Sequence, residues 1–231
     1  MTDWLGPAEW VALVLSLKVA FWAALCSLPV GFAVAYALAR GQFFGRQALN
    51  VLVHLPLVMP PVVTGYLLLV VFGTQGVIGG WLQNVFGITL AFRWTGAALA
   101  AAIMAFPLMV RAIRLGFDAV DAGLEDAART LGASKLRVFR TVTLPLIAPS
   151  ILAGAVLGFA KALGEFGATI TFVAAIPGQT QTIPSAIYGL LQVPNSGAAV
   201  VSLVVVSIIL AMGALLLSEV LAQRMARKVG R

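Results

Sequence analysis

The apolar residues of this chain are gathered into blocks long enough to cross a lipid bilayer. They run over 11–39, 48–72, 94–110, 144–160 and 198–218, and the fourth can be extended to 176. A spanning helix needs about 20 predominantly apolar residues. Within hydrocarbon the backbone must satisfy its own hydrogen bonds, which makes helices the form such blocks take. Only 10% of the residues are charged, whereas a soluble domain carries about 25%. The expected fold class is an all-α polytopic membrane protein with about five transmembrane helices, a single domain over 1–231. A large soluble core is excluded on the same grounds.

Loop charge sets the expected orientation, because Lys and Arg concentrate in cytoplasmic loops. Arg40 and Arg46 follow the first block, and Arg111, Arg114, Arg129, Lys135, Arg137 and Arg140 separate the third from the fourth. Arg224, Arg227, Lys228 and Arg231 follow the fifth; Arg93 stands alone on the opposite side, and Lys18 and Lys161 lie inside blocks. This places the N-terminus outside, the C-terminus inside and a long loop over 111–145 in the cytoplasm. The net charge of +7 is thereby a matter of topology. No basic stripe interleaved with aromatics exists, so nucleic acid is not an expected partner. Asp3 and Glu9 precede the first block with no Lys or Arg, unlike a signal peptide, so that block is kept as a span. Pro29 and Gly31 are its candidate kink positions. Cys26 is the single cysteine. Alone, it can form neither an intrachain disulfide nor a thiolate metal site, and a small buried hydrophobe is the expectation.

Two segments on the Arg93 side are more than plain loops. Over 76–94, Ile78, Trp81, Leu82, Val85, Phe86 and Ile88 recur at spacings that suit a short helix lying in the interface. The segment 179–191 is too short and too polar to span. It reads either as a re-entrant or surface helix with Pro184 in its first turn, or as an ordinary loop.

The stretch 126–145 is a polar island in this apolar chain. Asp121 can cap a helix running through Leu131, with Glu125 and Asp126 near its positive end. Gly132 suits a left-handed C-terminal cap. Ser134 can cap a second helix to about Thr141, and Pro145 suits the start of the next span. Two short helices at an angle are expected, with Ala127 and Ala128 leaving a low face that a partner could approach.

Two further constellations lie inside the spans. Pro56, Pro60 and Pro61 remove three backbone donors within six residues and break the helix ladder. Such backbone is tolerated at membrane depth beside protein or a water-filled cavity, so this span either lines a pathway or is a kinked packing helix. Lys161 and Glu165 are four apart on one helix face. Charge inside a span is a functional signal by default, and a pair that cancels its own field can equally serve packing. His54 has no Cys, Asp or Glu neighbours, so no metal site is expected. There is no GxxxxGK[ST] phosphate loop, no chain of acids for a proton relay and no catalytic cluster. The chain is expected to be no enzyme, to need no cofactor, and to draw its energy from a partner.

From Asp126-Ala127-Ala128 through Gly132 to Val142-Thr143-Leu144-Pro145, the island resembles the EAA loop of ABC importer permeases. The spacing matches throughout, with Asp126 in place of Glu and Val142 in place of Ile. Adding 55–63, 106–113, 127–138, Gly164 to Phe172 and Ile176 to Tyr188, nearly the whole chain is similar to the molybdate ABC importer permease family, with sulfate permeases as near relatives. That resemblance implies a type I ABC importer permease fold in the cell inner membrane. It implies a homodimer of this chain, two cytoplasmic ABC ATPase subunits and an extracytoplasmic molybdate-binding protein. The implied coupling residues are Glu125, Asp126, Ala127, Ala128, Arg129, Leu131, Gly132, Ser134, Leu144 and Pro145. Pathway candidates are Pro60, Pro61, Thr64, Lys161, Gly164, Glu165, Gly167, Thr169 and Thr171. The implied cargo is molybdate or tungstate. Sulfate, thiosulfate or another oxyanion is the alternative, and an ion-coupled secondary transporter is the alternative from another class. A tetrahedral dianion in transit needs several weak contacts, which hydroxyls and helix-end amides supply.

Overall fold

The structure, a computed structural model, describes residues 4–229, and no strand occurs among them. Met1–Asp3 and the tail residues Gly230 and Arg231 lie outside the described residues. Helix α1 (Pro7–Arg40) has proline at its start, where the missing N–H is no loss, and runs unbroken through Pro29. Helix α5 is Trp94–Asp118 and α11 is Gly197–Val229. Among the described residues, α5, the part Gly197–Leu217 of α11, α1 and the rod Lys135–Leu163 are the four helices long and apolar enough to cross a membrane.

The second apolar block is not a straight fifth helix. It forms α2 (Arg46–Val58) and α3 (Pro61–Phe72), bent by 114°. The cause is local. A residue before proline is pushed out of the helical region, and Met59 and Pro60 both precede prolines. Their ψ angles are 144° and 133°, two consecutive extended residues that turn the chain. The bent pair makes five spans if it is counted as one.

Helix α4 (Val77–Phe86) stands where the short amphipathic helix is expected, and α10 (Ile183–Leu190) carries Pro184 in its first turn. Ser16 of α1 accepts a 2.7 Å hydrogen bond from the Ile183 amide, which ties α10 to a helix far away in sequence.

The polar island differs from expectation in one respect. Its first helix, α6 (Ala122–Thr130), is separate, but its second is not. Helix α7 (Lys135–Val138) continues through a π-type stretch, Phe139–Thr143, into α8 (Leu144–Leu163). Pro145 lacks the N–H that would bond back one turn, and its ring crowds the carbonyl there. A widened turn relieves this without ending the helix. The loop is also shorter than 111–145, because α5 extends to Asp118 and holds Arg111 and Arg114. At the other end of α8 the helix stops at Leu163 rather than at 176. After a break comes α9 (Gly167–Val173).

Helix α5 is the hub of the packing. Ala97, Ala100, Ala101 and Ala105 are fully buried and let α1, α3 and α9 approach through Val19, Ala20, Leu68, Ala168 and Phe172. Small residues at such contacts allow close packing where lipid removes the usual hydrophobic drive. Toward the island, Met109, Ile113 and Phe117 pack with Leu38, Val53 and Ile147. Cys26, expected inside, is exposed on α1.

Candidate coupling and translocation site

Helix α6 is placed by one buried carboxylate. Glu125 is 9% exposed. Its Oε1 accepts from the Thr143 hydroxyl at 2.7 Å and from Arg40 Nη2 at 3.3 Å. Arg129 Nη2 lies 3.9 Å from Oε2. Arg40 also donates to the Phe117 carbonyl at 3.4 Å. The acid therefore joins α6 to the ends of α1 and α5 and to the π-type stretch before α8. Tyr36, Phe32, Phe117 and Phe139 form an aromatic cluster, three of its pairs edge to face and Phe32–Phe117 tilted, with ring centres 5.5 to 6.4 Å apart. A cleft of about 190 Å³ lies beside the cluster, bordered by Arg40, Glu125, Arg129 and Lys135.

The rest of the island is built to hold that helix. Asp121 accepts from the Gly123 amide at 2.8 Å and caps α6. Gly132 has φ +85°, the left-handed conformation that favours glycine. Ser134 Oγ accepts from the Arg137 amide at 3.4 Å. Asp126, in the acidic position of the pattern, is exposed and pairs with Arg129 at 3.0 Å. The buried acid is thus Glu125, its neighbour. Leu124, Ala127 and Leu131 lie at helical spacing on the opposite, exposed face, with Ala128 half-buried. Leu144 and Pro145 sit at the start of α8, half-buried and exposed. Arg40 and Thr143 were not singled out from sequence, since they lie 85 and 18 residues from Glu125.

The pathway candidates meet where α3 crosses α9. A Cβ on Gly167 would lie 2.7 Å from Pro61 Cβ, and one on Gly65 would lie 2.6 Å from the Ala168 carbonyl and 2.8 Å from Thr171 Cβ. Glycine at both places lets the two backbones touch. Glu165, 2% exposed, spans the break between α8 and α9. Its Oε2 receives Lys161 Nζ at 2.8 Å and its Oε1 receives the Ala168 amide at 3.0 Å. Gly164 lies in the same break. Thr169 and Thr171 spend their hydroxyl protons on the Phe166 and Gly167 carbonyls, each at 2.8 Å. Thr64 differs. It is 5% exposed and its hydroxyl has no hydrogen-bond partner. Pro60 and Pro61 are exposed at the bend. His54 Nδ1 lies 2.8 Å from the Asn50 carbonyl, and among the described residues no group of His, Cys, Asp or Glu could hold a metal.

Residues 27–227 match the family described as "Binding-protein-dependent transport system inner membrane component". This chain belongs to that family. It is a multi-pass inner-membrane component of a transport system. It is 57% identical over 227 residues to the molybdenum transport system permease protein ModB of Escherichia coli (strain K12), covering 98% of this chain and 99% of that one. To the protein of the same name in Haemophilus influenzae it is 54% identical, covering 95% and 96%. The sulfate transport system permease CysT of Salmonella typhimurium is more distant, at 35% identity, covering 97% and 80%. Among solved structures, a bacterial alginate ABC transporter in complex with an alginate pentasaccharide-bound periplasmic protein has a similar fold, with a TM-score of 0.70 at 19% identity, covering 97% of this chain and 80% of that one. The permease fold is thus shared even where the sequence has diverged.

Proposed function

We propose that this chain is the membrane-spanning subunit of an ATP-driven importer of molybdate, with tungstate as a cargo of the same shape and charge. The observation that carries the reading is the identity to molybdenum permeases along almost the entire chain. The matched length, 98% of this chain, includes the segments 164–172 and 176–188 as well as the polar island. Two copies form the channel, two ATPase subunits dock in the cytoplasm, and an extracytoplasmic binding protein delivers the anion.

In this reading the exposed face of Leu124, Ala127 and Leu131, with half-buried Ala128 beside it, seats in a groove of the ATPase. Movement of α6 is handed on through Glu125, to α1 by way of Arg40 and to α8 by way of Thr143. One short buried hydrogen bond, from Thr143, and a longer ion pair with Arg40 tie α6 to the spans more firmly than a flexible loop would be tied. The α3–α9 crossing forms the gate region. Thr64 offers it a hydroxyl with no competing partner, a weak contact that lets a dianion leave as readily as it arrives.

The test is reconstitution in liposomes with the candidate ATPase and binding protein. Labelled molybdate uptake is expected to need ATP, to be blocked by tungstate, and to be little affected by equal sulfate. Uptake driven by sulfate instead would reassign the cargo. Uptake without ATP would favour an ion-coupled carrier.

A further inference from the structure

At the Trp94 end of α5, remote from the coupling loop, two clefts adjoin. The first, about 600 Å³, is bordered by Lys18 of α1, Thr89 and Arg93 of the loop before α5, and Gln179. The second, about 320 Å³, is bordered by Trp22, Ala23 and Cys26 of α1 and by Ala98, Leu99 and Ala102 of α5. Trp94 and Thr95 border both. No Asp or Glu borders either. The first cleft carries two cations in a mixed polar and apolar lining, and the second is an apolar groove.

The two halves are stacked along the helices. Lys18 to Cys26 and Thr95 to Ala102 both run away from the same end. The groove therefore continues inward for about 10 Å, at 1.5 Å per residue. Lys18 Nζ sits 3.7 Å from the centre of the Trp94 ring. That contact fixes the ammonium at the level of an interfacial tryptophan and leaves its N–H groups free to donate. Trp10, exposed, lies in the first turn of α1.

We propose that these two adjoining clefts together bind one anionic glycerophospholipid of the leaflet at the Trp94 end. Its phosphate lies between Lys18 and Arg93, and one acyl chain lies along the groove to Ala102. Charge complementarity selects the occupant. Two cations with no acid among them favour a headgroup of net negative charge over a zwitterion, and guanidinium pairs well with phosphate oxygens. The attached apolar groove favours a lipid over a free oxyanion, which would leave that surface bare. The bound lipid bridges α1 and α5 at the end opposite to Arg40 and Glu125.

The purified protein, given equal amounts of phosphatidylglycerol and phosphatidylcholine with the same chains, is examined by native mass spectrometry. Phosphatidylglycerol is expected to be retained at least tenfold better. Lys18→Gln with Arg93→Gln should abolish that preference, Lys18→Arg should keep it, and Ala102→Phe should reduce retention of both lipids. Cys26, the single cysteine and exposed in the groove, reports occupancy. Its alkylation should slow several-fold with phosphatidylglycerol and not with phosphatidylcholine. Equal retention of the two lipids would overturn the proposal, as would a preference that survives the double substitution. Displacement of the lipid by molybdate would give the cleft to the cargo. A Cys26 unreactive in lipid-free protein would give the groove to a second copy of the chain.

Discussion

The Thr143 hydroxyl donates to Glu125 Oε1 at 2.7 Å, buried, across the boundary between the surface helix α6 and the long rod that ends as α8. Thr143 lies in the π-type stretch, whose extra residue per turn alters which side chains face α6. Thr143→Val keeps the shape and removes the donor. It is expected to destabilise the protein by about 1.5–3 kcal/mol, as for a hydrogen bond to a charged group. ATPase binding should persist while uptake per ATP hydrolysed falls. Thermal unfolding and a coupled uptake and ATPase assay would check this, and unchanged coupling would remove Thr143 from the link between α6 and α8.

Arg40 and Glu125 should behave as a unit. Glu125→Gln leaves Arg40 partly buried without its charge partner, and Arg40→Gln leaves the acid with Thr143 and the more distant Arg129. The double variant should therefore be less destabilised than the sum of the two, with a coupling of about 0.5–2 kcal/mol in a double-mutant cycle. Strict additivity would mean that the pair is incidental.

Gly132 turns the chain between α6 and α7 with φ +85°. A β-branched residue is strained there, by about 1–2 kcal/mol. A Cβ at this position meets nothing within 4 Å, so the penalty comes from backbone conformation alone. Gly132→Val should tilt or loosen α6 and lose ATPase co-purification. Gly132→Asn, which tolerates the left-handed region better, should retain most of it. Equal behaviour of the two variants would count against a conformational role.

These contacts differ in how far they can be read from the chain. The long helices follow from the apolar blocks, and the caps at Asp121, Gly132 and Ser134 follow from residue types at fixed offsets. The bend at Met59 and Pro60 is local too, though its size is not written in the order of the prolines. What local signals do not carry is partnership. Arg40 appears as one more loop cation until the fold sets it against Glu125. Cys26 reads as buried because apolar neighbours surround it in sequence, yet on a membrane helix those neighbours also line the exposed face. Pro145 reads as a helix start, while a widened turn lets the helix run past it.

Lys161 and Glu165 close the break between α8 and α9 with a 2.8 Å ion pair, the acid 1% and the lysine 32% exposed by side chain. Removing one partner of a buried pair leaves a charge without compensation, at a cost of about 3–5 kcal/mol. Lysine is partly exposed here, so Lys161→Met should fall toward the lower end. Glu165→Leu should be worse, because it also strips the Ala168 amide of its acceptor. Glu165→Gln, which keeps an oxygen acceptor, should fold better than Glu165→Leu. Expression and thermal stability in detergent rank the three, and a milder effect from Glu165→Leu than from Lys161→Met would contradict this account.

Thr64 separates function from stability. Its hydroxyl is buried without a partner, and such a group carries a desolvation penalty of about 1–3 kcal/mol that nothing in the resting fold returns. Thr64→Val replaces it with a methyl of nearly the same volume. That change should leave the fold as stable or more stable, raising the unfolding temperature by a few degrees at about 2–4 °C per kcal/mol for a chain of this length. If the hydroxyl serves the passing anion, the same variant should transport more slowly, with ATPase docking and binding-protein docking intact. Higher stability with lower uptake would mark a residue retained for transport against its effect on folding. Higher stability with unchanged uptake would take Thr64 out of the pathway and leave the α3–α9 crossing as a packing contact.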